Sequence, residues 1–381
     1  VITVALNESE AIMMAGHAGN TTVWMDNKTG AWVSSDYYAE SLPSWAVRIN
    51  TDGTLNAYMQ RNWSNYYIDF YYSSPSVQNG NLPSFSYSMS SLVGKNPSFE
   101  LFKNTPWANS MVRELAINAI KDEYIGIDDI PDVLNLQFSV RGFDALTTGV
   151  INAETQDLYI RLDKDIRLLL DFLDLQFGIS NVLVSVTSGQ VERVSPVVLQ
   201  TYKIPSGYFM HERSISLLST YLMAVYGQAR WVLGYADKQI YLNHEVIKEK
   251  KLNIEEVQQK VADFMSQFSG VQSALTATEL AKHSGDGFFM KYKNGYHKNL
   301  SGDVLLFLQP GWVEVANEKQ TVGASANMSK KVPFMLYGWR IKPQVKFDNI
   351  FITDIAPTLC NLLQLNYPNA CIGKAVLEIT E

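Results

Sequence analysis

Side chains that hold metals through nitrogen or sulfur are scarce, with five histidines and two cysteines among 381 residues. His17, His211, His244, His283 and His297 are scattered, without the short spacing of a metal site. Cys360 and Cys371 have no histidine near them in sequence, which argues against zinc. Long apolar runs are missing too: none approaches the roughly 18 residues of a membrane-spanning helix. Basic residues are outnumbered, 31 Lys and Arg against 38 Asp and Glu, for a net charge of −7. That leaves no basic footprint for nucleic acid and no Lys/Arg-rich run to steer the chain to an anionic membrane. What is present, 46% hydrophobic and 18% charged residues, suffices for a sizeable core. The length fits one large α/β domain with insertions or two intimately joined ones.

Strand-like and helix-like stretches alternate, the pattern of a doubly wound α/β fold. Val1 to Leu6 is a continuous apolar run, as in a strand buried on both faces of a parallel sheet. Thr105 and Pro106 suit the N-cap and first turn of a helix reaching about Lys121. Asp132 to Val140 reads as a strand. From Ala153 to Phe177, Leu158, Leu162, Ile166, Leu169, Leu170 and Leu173 recur at helical spacing, and Gly178 supplies the stop. Asn181 to Thr187 is the next strand, and Asn253 to Phe268 a further helix with a strand after Gly270.

Several motifs follow one another in order: Ala15-Gly16-His17, the Trp24-to-Gly30 turn with Ala31-Trp32, and Thr105-Pro106-Trp107-Ala108-Asn109. Gln156-Asp157 with Tyr159, Arg161-Leu162-Asp163 and Asp165 comes next, then Gly302-Asp303, Pro310-Gly311-Trp312, Val332-Pro333, Tyr337-Gly338-Trp339 and Asp354-Ile355-Ala356-Pro357-Thr358. Together they resemble the alkaline phosphatase superfamily, in its phosphate-irrepressible, type I phosphodiesterase/nucleotide pyrophosphatase-like branch. The resemblance covers nearly the whole chain and implies a doubly wound, mostly parallel sheet with helices on both faces and cap insertions. It divides the chain into core (1–50), an aromatic-rich cap (51–104), core (105–200), a second cap (201–300) and the C-terminal core (301–381).

The same resemblance implies metal ligands that this chain does not carry. The family's Asp and His after one strand fall on Gly142 and Leu146, counted from Ser139; its Asp-His pair after the next strand falls on Gly189 and Gln190; its last His falls on Val322. Gly, Leu and Val offer zinc no donor, and a Gln amide is a weak substitute, so a two-metal mechanism is expected to be absent. The family's Lys-x-Arg phosphate contact reads Asn7-Glu8-Ser9, where Glu8 and Glu10 repel a phosphate dianion. The nucleophile is expected upstream of Val1, and about 150 residues of an ordinary domain are expected there to complete the sheet; a Val1–Leu6 strand at a solvated sheet edge would contradict this.

These readings imply a pseudoenzyme: no zinc or other cofactor, an exported protein in the periplasm or at the outer membrane, and a protein partner in an envelope complex. If exported, Cys360 and Cys371 suit a disulfide between the last helix and the loop after it; the alternative is two packed thiols. Arg141, Asp144, Glu154 and Glu192 are the candidates to line a reused pocket. A second reading is a phosphate or sulfate ester hydrolase rebuilt on Asp144, Glu154 or Glu192. A third is a glycan-binding module using aromatics such as Tyr66 and Tyr71, against which stands an ordinary capping subdomain.

Overall fold

The computed structural model describes residues 1–66, 85–93, 98–140, 153–189, 196–282, 288–317, 320–321, 332–377 and 379. The chain divides into two compact units, one of Val1–Phe143, Ala153–Val191 and Lys331–Glu381, the other of Asp144–Asn152 and Glu192–Lys330.

In the first unit the strand Ile2–Ala5 pairs in parallel with Thr21–Met25 on one side and Leu134–Leu136 on the other. It is therefore an interior strand, and all four of its residues are buried. The apolar run at Val1 to Leu6 explains this, because alternate side chains leave opposite faces of a strand. Val4 and Leu6 join Trp45, Met111 and Leu115 in one fully buried cluster. Ala5 faces the other way, onto Ala11 of the helix Glu8–Ala15 and Trp24. Helices thus cover both faces of this strand. The helix starting at Pro106 runs to Asp122, and the long helix spans Ala153–Phe177, ended by Gly178 at φ 75°. The strand read from Asp132 is shorter than expected, Leu134–Leu136, and the next is Leu183–Thr187.

In the second unit Val271–Thr276, Val304–Leu308, Gln239–Leu242 and Val232–Ala236 form one antiparallel sheet in that order. Gly207–Met210 runs parallel to Trp312–Asn317. The helices His211–Tyr226 and Ile254–Met265 seal this core through Leu218, Leu222, Val257, Val261 and Met265. Asn253 caps the second helix by accepting from the Glu255 N–H.

The expectation of a mostly parallel sheet is corrected. Among the described residues three strand pairings are parallel and seven antiparallel. Tight turns are the physical reason. Asp237 and Lys238, both at positive φ (45° and 64°), join two strands directly, and a two-residue turn of that handedness forces its strands antiparallel. The pair contains no glycine, so its sequence did not announce a hairpin.

Candidate functional site at the carboxyl ends of the parallel strands

In a parallel sheet, ligands gather beyond the carboxyl ends of the strands. Here three such ends meet. After Ile2–Ala5, Leu6 donates its N–H to Gln137 Oε1 at 2.8 Å, and Asn7 precedes the helix whose first turn carries Glu8 and Glu10. Asn7 holds no side-chain cap bond, and Ser9 donates to Glu10 Oε2 at 2.8 Å.

After Thr21–Met25 comes Asp26, whose Oδ2 accepts from the Thr29 hydroxyl (2.8 Å), the Thr29 N–H (2.8 Å) and the Lys28 N–H (3.0 Å). The Thr29 bonds, foremost among these, hold the Asp26 carboxyl below its ordinary range. After Leu134–Leu136 comes Ser139, fixed by Asn109: Nδ2 donates to the Ser139 carbonyl at 2.7 Å, and the Ser139 N–H returns a bond to Oδ1 at 2.8 Å. The Ser139 hydroxyl donates to Asn104 Oδ1 at 3.2 Å.

Beside Asn104 stands Lys103, only 4% exposed. Burial pulls its ammonium below the ordinary lysine range, against the fields of Asp26, Glu100, Glu10 and Glu8. Among the described residues none makes a hydrogen bond or ion pair with its Nζ. Sequence reasoning missed this residue. The available signal was a lysine set between Phe102 and Asn104 immediately before the helix start at Thr105-Pro106, a place where the chain turns inward.

Of the residues nominated from sequence, Asn7 and Ser9 lie on this rim. Gly189 follows the strand Leu183–Thr187, is exposed, and a Cβ added to it would meet none of the described residues within 4 Å. Neither space nor backbone therefore requires glycine there. Glu154 opens the long helix and accepts from the Tyr87 hydroxyl at 2.8 Å, so its carboxylate serves packing. Arg141, Gly142, Asp144, Leu146, Gln190, Glu192 and Val322 lie outside the described residues, as does Tyr71. Cys360 and Cys371 are free thiols, both part-buried. Among the described residues no group of three or more His, Cys, Asp or Glu side chains is placed to hold a metal ion.

The ordered motifs turn out to be clamps. Asp157, fully buried, accepts from Trp63 Nε1 (2.7 Å), the Tyr66 N–H (2.6 Å) and Arg161 Nε (2.6 Å). Asp165 accepts from Ser110 at 2.9 Å and Arg113 at 2.5 Å; burial raises its carboxyl, and the Arg113 charge opposes that. Asp303 in the second unit accepts from the Leu242 N–H (2.8 Å) and Gln258 Nε2 (2.9 Å) and pairs with His244 Nε2 at 2.7 Å. Asp354 takes the N–H groups of Phe351 and Lys374, each at 2.8 Å. Asp157, Asp165 and Asp303 satisfy donors in the buried or part-buried interior, whereas the Asp354 bonds lie at the surface and tie Phe351 and Lys374 together.

In fold and in sequence the chain resembles the alkaline phosphatase superfamily, in its PafA-like branch. No protein-family model matches it. The crystal structure of wild-type alkaline phosphatase PafA superposes with a TM-score of 0.87 at 24% identity, over 100% of this chain and 75% of that one, a likeness of fold. In sequence, the chain is 29% identical to a calcium-transporting ATPase of Myroides odoratus, matching 100% of this chain and 72% of that protein. It is 25% identical to alkaline phosphatase PafA of Elizabethkingia meningoseptica, over 100% of this chain and 71% of that one. It is 27% identical to alkaline phosphatase PhoV of Synechococcus elongatus, over 100% and 70%.

Proposed function

We propose that this chain is an alkaline phosphatase-like protein without hydrolytic activity, kept for binding or as a structural part of a cell-envelope assembly. The observation that carries the reading is the rim itself. Where the resemblance calls for phosphate contacts and metal ligands, the described positions hold Asn7, Ser9 and Gly189, and Gly189 is a glycine that its surroundings do not demand. Glu8 and Glu10 add negative charge where a phosphate dianion would have to enter. Among the described residues of the rim, Asn109, Ser139 and Asp26 are engaged in holding loops. Among the described residues no helix is long and apolar enough to cross a membrane. We place the protein in the periplasm or at the outer membrane, with a protein partner in an envelope complex.

Metal content of the full-length protein purified without chelator tests the reading, together with hydrolysis of p-nitrophenyl phosphate and its bis-ester. Less than about a tenth of an equivalent of zinc, where the two-metal scheme needs two ions, and no turnover are expected. One or two firmly bound ions with turnover would overturn it. The second reading, an ester hydrolase with a rebuilt metal site, is favoured by one observation: two proteins matched along the whole of this chain are named alkaline phosphatases.

A further inference from the structure

Beside the strand Asn62–Ser64 of the first unit, cations are stacked on aromatic rings. Arg61 stands immediately before that strand, and its guanidinium lies over the rings of Tyr58, 4.6 Å from the centroid, and Trp107, 5.1 Å away. Arg161, on the long helix, lies over the same Trp107 ring and over Tyr66, each at 5.0 Å. On the same face of that helix Lys164 sits 3.7 Å from the Tyr66 centroid and donates to the Tyr66 hydroxyl. Rings and cations therefore alternate in one continuous ladder: Tyr58, Arg61, Trp107, Arg161, Tyr66, Lys164. The ring quadrupoles attract each cation and hold it in place.

The acids nearby are engaged with other donors. Asp157 takes Arg161 Nε, Trp63 Nε1 and the Tyr66 N–H. Glu114 takes the Tyr58 hydroxyl at 2.6 Å and Arg113 Nη2 at 3.2 Å. Arg161 gives Nη2 to the Ser64 carbonyl, and among the described residues nothing takes its Nη1. Arg61 is exposed, and among the described residues no hydrogen bond or ion pair reaches its side chain. Its guanidinium donors are thus positioned by two rings with no acceptor to receive them.

The ladder itself selects the chemistry of what binds. The Trp107 ring is already stacked with two guanidinium groups and Tyr58 is buried, so a sugar finds no open platform on them. What faces outward is the Arg61 fork, whose paired N–H groups match the two oxygens of a carboxylate. Both guanidinium carbons lie near one centroid, so they are within about 10 Å of each other, a distance that three extended residues span. We propose that this ladder is a docking surface for an acidic segment of a partner protein. Arg61 clasps one carboxylate, and Arg161 Nη1 takes a second, two residues along, on the same side of the extended segment. The proposal deepens the binding role given above and rests on it by naming the chemistry of the partner. Metal content and ester turnover decide that role, whereas peptide binding decides this surface, so the two fail separately.

The test is isothermal titration of the intact chain, in low salt, with a capped pentapeptide of alternating glutamate and serine. Its counterpart with glutamine in place of glutamate is the neutral control. The acidic peptide is expected to bind and the neutral one not. Arg61→Ala should weaken binding at least about tenfold, the effect of losing a charge-assisted pair. Arg61→Lys should recover little of that, because an ammonium lacks the fork. Both variants should melt close to the wild type, because Arg61 is exposed and bonded to nothing. Lys250→Ala, at an exposed position of the second unit, should leave binding unchanged. No binding of the acidic peptide, equal binding of both peptides, an equal loss in Lys250→Ala, or full recovery by Arg61→Lys overturns the proposal. Tighter binding of an oligogalacturonate than of the acidic peptide overturns it too, since the surface would then be an anionic sugar site.

Discussion

Asp157 is where the structure makes its strongest quantitative claim. It is fully buried and accepts three hydrogen bonds, from Trp63, the Tyr66 backbone and Arg161. Replacing it by alanine strands the Arg161 guanidinium, whose side chain is 16% exposed. Breaking such a pair costs about 3–5 kcal/mol, and each orphaned buried donor about 1–3 kcal/mol more. The terms do not add fully. Arg161 keeps its bond to the Ser64 carbonyl at 2.8 Å and its stacking on Trp107 and Tyr66, each at 5.0 Å. A loss of about 5 kcal/mol for Asp157→Ala is expected, a large part of an ordinary stability of about 5–15 kcal/mol. Asp157→Asn retains an acceptor for Trp63 and should lose about 3 kcal/mol, lowering Tm by about 6–12 °C if the cooperative unit is about 150–250 residues. Urea titration followed by tryptophan fluorescence measures both, with Asp157→Ala/Arg161→Met recovering part of the loss. A change under about 1 kcal/mol for Asp157→Ala would refute the view that this motif is a clamp.

Three further outcomes follow from other places. Lys103 has a folded-state pKa below its unfolded value of 10.5; the penalty is present in full below the folded pKa and is relieved as pH rises through it toward the unfolded value. Lys103→Met should therefore stabilise the fold at about pH 7, and the gain should shrink by about pH 10.5; a constant difference across a pH series of urea titrations would contradict this. Gly189→Ala should be neutral or stabilising by up to about 1 kcal/mol by thermal shift, because the added Cβ meets open space. Gly270→Ala should cost at least about 2 kcal/mol, because its φ is +88° and the new Cβ would sit 2.1 Å from Trp312 Cε3; a wild-type melting curve would show that Trp312 does not pack as described.

Periodicity and punctuation settled much of the local structure in advance. The helix Ala153–Phe177 was legible because leucines recur on one face and Gly178 takes the left-handed turn that ends it. The buried strand Ile2–Ala5 was legible because only a strand covered on both faces tolerates an unbroken apolar run. The ordered motifs pointed to the superfamily, but the sequence could not say what those residues do; tertiary packing makes Asp157, Asp303 and Asp354 acceptors for distant donors. The predominance of antiparallel pairing was also decided in three dimensions, since Asp237 and Lys238 accept positive φ without glycine to mark it. Lys103 is the clearest case. Its charge and neighbours in sequence are ordinary, and its burial beside carboxylates from two strand ends exists only once residues about a hundred positions apart have been folded onto one rim.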